Sequence, residues 1–197
     1  MWISRARHRC RFPCQITLVA ATNPCPCGWH GDPGRPCVCG EGERRRYWSR
    51  LSGPLLDRLD LQVVMRRPAA RDLVAVGGCA SGGGGAGSEE APESSREVAA
   101  RVSRARRRMG QRNPGGGPNA SLPAESLADV IRLKPEAARL WEAALECRHL
   151  SARAGMRLLM VARTIADLNG NRRVGHEEIA EALTYRSFDR AEPCEPG

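Results

Sequence analysis

Lysine is almost missing from this sequence. Lys134 is the single one in 197 residues, so arginine carries nearly all of a formal net charge of +9. That balance suits contact with nucleic acid, with nucleotide phosphates or with an acidic neighbouring subunit, and it does not separate these partners. Aromatic residues make up only 4% of the chain, against 21 glycines and 14 prolines, so part of it is expected to stay outside any packed core. No apolar run is long enough to cross a bilayer and no signal-peptide pattern is present, which predicts a cytoplasmic protein with reduced thiols and no membrane partner. A G-x-x-x-x-G-K-S/T phosphate loop is also absent. The glycine run from Gly82 to Gly85 has no lysine, no preceding strand and no following helix, and reads as linker.

The stretch that organises the rest is ITLVAATNPCPCGWHGDPGRPCVCG, Ile16 to Gly40. Ile16 to Ala20 has the β-branched density of a buried strand, and the Asn23-Pro24 pair ends it, because proline removes an amide and restricts its predecessor. Asn23 is then expected just past a strand's carboxyl end, where ligand crevices form in open α/β sheets. Its amide can position a water, contact a phosphate, or simply cap the turn.

Cys25 and Cys27 follow, then a nine-residue turn-rich loop, then Cys37 and Cys39. Four thiolates in two pairs can converge on one tetrahedral ion, and zinc is the best candidate for a structural site. The C-x-C spacing is tighter than the usual C-x-x-C knuckle, so inert or redox thiols and disulfides between the pairs stay open. His30, inside the loop, is a further candidate ligand or an exposed loop residue. Cys10, Cys14, Cys79, Cys147 and Cys194 are scattered and read as small buried or incidental surface thiols.

Past the cysteines, Arg44, Arg45, Arg46, Tyr47, Trp48 and Arg50 form a basic patch with two aromatics, able to touch a nucleic acid or to anchor the cluster. Leu55, Leu56 and Leu59 predict a short helix, and Leu61, Val63 and Met65 an alternating strand. Arg58 lies between Asp57 and Asp60 at their junction. Its guanidinium is either held by those carboxylates or directed across an interface at a γ-phosphate. From Arg66 to Pro92 the composition turns to Gly, Ala, Ser and Pro, predicting a mobile linker. Ser94 and Glu97 form a capping box opening a helix to about Arg108, with Val98, Val102, Ala105 and Met109 inward and Arg101, Arg104, Arg106, Arg107 and Arg108 on a face that is DNA-contacting or merely solvated. Pro135 opens another helix with Trp141 in its apolar face. Ser151 caps a third, ended by Asn169-Gly170, and a last helix runs from about His176 to Tyr185. Arg153 falls in the first turn of the third helix, where a cation gains nothing from the macrodipole. It either recruits an anion such as phosphate or pairs with Glu146 or Asp167, while Arg157 and Arg163 read as lateral or surface groups.

ISRARHRCRFPCQITLVAATNPCPCGWHGDPGRPCVCG, then YWSRLSGPLLDRLDLQVVM, then LSARAGMRLLMVARTIADLNGNRRVGHEEIAEALTYR closely resemble the magnesium-chelatase-like AAA+ ATPases of bacteria, the YifB and ComM family. The cysteines behind Asn-Pro distinguish this family from true magnesium-chelatase subunits. The resemblance implies an α/β remnant of an AAA+ P-loop NTPase core with a four-cysteine metal-binding insertion, followed by an all-α C-terminal lid or helical domain. The implied layout is core at 1–68, linker at 69–92, helical domain at 93–186 and a frayed tail at 187–197. It also implies that Asn23 is the sensor-one asparagine, Arg58 the arginine finger and Arg153 the sensor-two arginine. Asn119 matches the family's Asn-Ala-x-Leu turn. Family members look like homo-oligomeric rings that hydrolyse ATP and act on DNA, and the ComM branch resembles a hexameric branch-migration helicase of natural transformation. The family expects a P-loop and an acidic Walker-B pair upstream of ISRAR. The resemblance therefore implies a C-terminal portion that engages ATP and magnesium only if the missing core is supplied. A noncatalytic zinc-stabilised module that binds DNA or protein, and a nonfunctional gene remnant, are the alternatives.

Overall fold

Two four-residue segments at the start of the chain pair with each other. In the computed structural model, which describes residues 2–5, 8–11, 16–67 and 93–186, β1 (Trp2–Arg5) and β2 (His8–Arg11) form a two-stranded antiparallel hairpin, with Ile3 opposite Cys10. The first compact unit, Met1–Trp48, holds this hairpin, the cysteine loop and α1 (Glu41–Trp48). The second, Ser49–Gly197, is all-α in the regular structure of its described residues. Its elements are α2 (Gly53–Leu56), α3 (Ser95–Arg112), three short 3₁₀ turns, α4 (Leu127–Ile131), α5 (Pro135–Cys147), α6 (Ala152–Asn169) and α7 (His176–Thr184). The sequence thus folds as a mixed α/β N-terminal region and an all-α C-terminal region. The expected linker and tail lie outside the described residues.

Two strand expectations fail. Ile16–Ala20 has no regular structure, and Ile16, Leu18 and Val19 are exposed. A β-rich run becomes a strand only against a neighbour that completes its ladder, and among the described residues of this unit β1 and β2 pair with each other. Leu61–Met65 does not keep the alternation: Gln62 is buried at 4% exposure, whereas Leu61, Val63, Val64 and Met65 are all exposed. One parallel bridge, Gln62 to Arg186, sets this register, with the Gln62 N–H donating to the Tyr185 carbonyl at 2.7 Å.

The helices follow their signals closely. Ser94 caps α3 through a complete box: its Oγ accepts from the Glu97 N–H, and the Glu97 carboxylate accepts from the Ser94 N–H at 2.8 Å. Ser94→Ala is expected to cost about 1 kcal/mol, read as a lowered urea midpoint; an unchanged midpoint would show that α3 is held by packing alone. Ser151 caps α6, and Gly170 ends it at φ 85°, a left-handed position where a side chain would be strained. Ala154, Leu158, Leu159, Ala162, Ile165 and Ala166 turn the inner face of α6 into the centre of the core. Against it pack Leu127, Val130 and Ile131 of α4, Ala137 and Ala144 of α5, and Ile179, Ala182 and Leu183 of α7. Gly155 marks the closest approach of α5 and α6, since a Cβ there would lie 2.6 Å from Leu145 Cδ2. Trp141 is half-buried against the core, tied by its indole N–H to the Gly155 carbonyl at 3.2 Å. Among the described residues no helix is long and apolar enough to cross a membrane.

Candidate metal centre and the arginine-bearing turn

Glycines at 28 and 31, with φ of 82° and 81°, fold the cysteine loop back on itself. The Gly28 N–H donates to the Cys25 carbonyl at 3.0 Å and the Asp32 N–H to the Trp29 carbonyl at 3.1 Å. The reversal brings all four sulfurs of Cys25, Cys27, Cys37 and Cys39 within 4.8 Å of one another. Cys25 Sγ lies 3.3 Å from Cys27 Sγ and 3.6 Å from Cys37 Sγ, and Cys27 and Cys37 are also 3.6 Å apart. Four thiolates at about 2.3 Å from a tetrahedral zinc stand about 3.8 Å from each other, so the cage is close to the size of that ion. These are free thiols, which removes the disulfide alternative, and His30 is not part of the converging group.

The cage is braced by α1. The Trp48 indole N–H donates to the Pro24 carbonyl at 3.0 Å, Arg44 donates to the Cys39 carbonyl at 2.9 Å, and the hydroxyls of Tyr47 and Thr22 meet at 2.9 Å. The two aromatics and one arginine of the basic patch therefore anchor the cluster. Arg35 lies over the Trp29 ring at 4.4 Å, closing the loop's outer side. The Cys27 N–H points at Cys39 Sγ, 3.4 Å away. Backbone N–H from Trp29 lowers the Cys27 thiol to about 6 despite its burial, with Val38 N–H and the neighbouring thiols helping. Burial pushes Cys39 up to about 12. Opposite shifts within one cage mean that the protein alone does not stabilise four thiolates together, and a dication held there would supply the missing charge. The cluster can thus hold a metal ion.

Asn23 sits immediately before this cage, in coil rather than at a strand end. Arg58 and Arg153 belong to the second unit. The Asp57 carboxylate accepts from Ser151 Oγ at 2.9 Å, and the Asp60 carboxylate accepts from Arg157. Both flanking acids are therefore committed to the first half of α6, and the reading in which they hold Arg58 is overturned. Arg58 donates to the Pro54 carbonyl at 2.6 Å, a contact exposed to solvent. Arg186, buried at the end of α7, fastens the same turn by donating to the Leu59 carbonyl at 3.1 Å. Arg153 is exposed in the first turn of α6. Asp167, a candidate partner for it, is engaged elsewhere.

That engagement is the feature sequence reasoning missed. Arg163, expected at the surface, is fully buried and donates to Asp167 Oδ1 at 2.9 Å and to the carbonyls of Arg172 and Asn171 at 3.0 and 2.5 Å. Arg112 grips both Asp167 oxygens, at 2.5 and 2.9 Å. Asn119 Nδ2 donates to Asp167 Oδ2 at 2.9 Å, while its Oδ1 accepts from Arg112 at 2.7 Å and from Asn113 at 3.0 Å. Burial alone would raise the Asp167 carboxyl, but the hydrogen bonds from Arg112 and Asn119 and the charges of Arg163 and Arg112 hold it below the usual carboxylate range. The i,i+4 spacing of Arg163 and Asp167 was the available signal.

Two family comparisons cover nearly all of the chain outside its glycine-rich stretch. Residues 1–73 match magnesium chelatase, subunit ChlI, and residues 92–186 match magnesium chelatase, subunit ChlI C-terminal. The chain belongs to the magnesium-chelatase ChlI-like family, with YifB and ComM among its homologues. It is 36% identical to YifB of Escherichia coli over 191 residues, 95% of this chain and 34% of that protein. It is 35% identical to the competence protein ComM of Haemophilus influenzae over 188 residues, again 95% of this chain and 34% of the relative. An uncharacterized protein of Mycobacterium tuberculosis is 38% identical over 177 residues, 89% of this chain and 32% of the relative. The chain therefore spans about a third of the length of these curated relatives.

Proposed function

We propose that this chain forms the sensor and arginine-finger part of a YifB/ComM-like AAA+ ATPase that acts on DNA as a ring, in the manner of a branch-migration helicase. The proposed layout is an AAA+ core part at 1–68 with a structural zinc on Cys25, Cys27, Cys37 and Cys39, a linker at 69–92, a helical lid at 93–186 and a tail at 187–197. Asn23 orients the attacking water, Arg58 is offered to the nucleotide of an adjacent subunit, and Arg153 contacts phosphate. The observation that carries this reading is the turn around Arg58. Both flanking aspartates are bonded to α6 while the arginine itself stays at the solvent-exposed edge of the turn, an arrangement suited to a cation that acts outside its own unit. These 197 residues contain no phosphate loop, so they do not by themselves hold ATP and magnesium, and they contribute to hydrolysis only where the missing core is supplied.

Phosphate release gives the test. The chain alone is expected to hydrolyse no ATP above background, and mixing it with a phosphate-loop-bearing polypeptide of the same family is expected to stimulate release. Arg58→Ala should abolish the stimulation without changing the helical content. Turnover by the isolated chain, or stimulation that survives Arg58→Ala, would overturn the assignment.

A further inference from the structure

Helix α3 carries seven arginines and one acid, Glu97, which is consumed by the N-cap. The fold divides those arginines into two sets. Arg101 is held by the Glu93 carboxylate, Arg108 donates to the Asp167 carbonyl at 2.6 Å, and Arg112 enters the buried network. At about 100° per residue these three line one edge of the buried face that carries Ala105 and Met109. Arg96, Arg104, Arg106 and Arg107 are all exposed. Arg96 and Arg107 stand opposite the buried face, within about 20° of each other, and Arg104 and Arg106 flank them at roughly 70–90° to either side.

The surface between these four is small and uncharged. Ala99, Ala100, Ser103 and Gly110 are exposed there, so nothing bulky keeps the helix axis from a charged backbone. We propose that this outer face of α3 is a docking surface for the phosphate backbone of a nucleic acid, read without regard to base sequence. Charge complementarity is the argument: a run of guanidinium forks with no carboxylate among them matches a polyphosphate, and Arg96 to Arg107 extends about 16 Å along the helix, roughly five steps of a DNA strand. A membrane surface is disfavoured, because the apolar side of α3 is packed against α6 and the outer face presents no large apolar residue. Arg101 and Arg108, which the sequence alone puts on this face, are excluded by the structure, and Arg96 is added.

The proposal rests on the DNA-acting part of the function proposed above. Its test is fluorescence anisotropy of the full 197-residue chain with a labelled single strand and the matching duplex, across a salt series. The triple variant Arg96→Gln, Arg104→Gln, Arg107→Gln is compared with a control of equal charge loss, Arg139→Gln, Arg172→Gln, Arg173→Gln. The α3 variant is expected to lose about tenfold or more in affinity at low salt and to flatten the log–log salt slope by about 2 to 3, with unchanged circular dichroism. The control should keep both. Equal loss in the two variants, or wild-type affinity in the α3 variant, overturns this surface and leaves the DNA-acting reading standing. Binding to polyglutamate but to neither nucleic acid overturns it in favour of an acidic protein. No nucleic-acid affinity in the wild type overturns both proposals together.

Discussion

Asp167→Asn is expected to cost the helical unit about 3–5 kcal/mol, the usual cost of removing one partner from a buried ion pair. The carboxylate is 1% exposed and compensates two guanidiniums, one fully buried and one with a quarter of its side chain exposed. Asn keeps one oxygen acceptor but turns an NH₂ group toward Arg112, Arg163 or the Asn119 amide, so at least one donor faces another donor and the positive charges lose their counter-ion. Against a typical domain stability of about 5–15 kcal/mol, such a loss moves the unit close to unfolding. The network joins α3, the Asn119 turn and the C-terminal third of α6, so the loss spreads across the bundle.

The pH dependence separates this explanation from a packing defect. The folded-state pKa of Asp167 is depressed, so its contribution is complete above the ordinary carboxylate range near pH 4 and is lost as pH falls through the lower folded value. Wild-type unfolding midpoints should therefore drop on acidification below about pH 4, and Asp167→Asn should lose most of that acid limb. Glu178, also held below its usual value by Asn171 and the Gly175 N–H in spite of its burial, keeps a residual slope in the variant, together with Glu93, lowered by Arg101, and Glu97, lowered by Ser94. Urea titrations at several pH values measure both quantities. A variant as stable as the wild type at neutral pH, or one with the same acid limb, would show that Asp167 is not the counter-ion of the core.

The helices are legible because their signals are local. Ser94 with Glu97, Ser151 before α6, and Gly170 after it satisfy backbone groups within a few residues, and the structure uses all three. Strand expectations fail for the complementary reason. Ile16–Ala20 and Leu61–Met65 have the composition of strands, yet a ladder needs a second segment, and pattern alone does not supply one. The cysteine pairs are legible as a cluster because two reversals at Gly28 and Gly31 are enough to bring the pairs together. Arg163 escapes the sequence reading because a charged residue on a helix is ordinarily exposed, and its burial depends on Asp167 together with the carbonyls of Asn171 and Arg172, past the end of α6, and of Ile131, 32 residues earlier in the sequence. The same long-range pairing decides the arginines of α3: Arg108 looks equivalent to Arg104 and Arg107 in the sequence and Arg112 lies beyond the helix expected there, and only the position of α6 commits both to internal partners.

Removing the metal is expected to unfold the first unit while the helical unit persists. Within residues 1–48 the described buried apolar side chains are Cys25 and Cys39, so the described segment has almost no hydrophobic core to fall back on. Binding free energy of about 10–16 kcal/mol, typical of a structural zinc on such ligands, would replace that core. Native protein should carry one zinc per chain, released by a strong chelator together with a change in tryptophan emission, since the Trp48 indole is bonded to the Pro24 carbonyl beside the cage. Cys25→Ser removes the fully buried ligand and should abolish stoichiometric zinc, whereas Cys10→Ser, on an exposed thiol of the hairpin, should leave it unchanged. Because ligation requires deprotonated thiols, the affinity should fall as the solution is acidified. Protein purified without metal, yet showing the same emission and protease resistance, would mean that the four sulfurs are held together by α1 and the loop turns alone. The braces from Arg44, Tyr47 and Trp48 make that a real alternative, and it can be decided by measuring whether the Trp48 contact survives chelation. If the contact is lost with the ion, the order of cause runs from metal to loop to helix. Asn23, two residues before the first ligand, is then placed by the metal rather than by a strand.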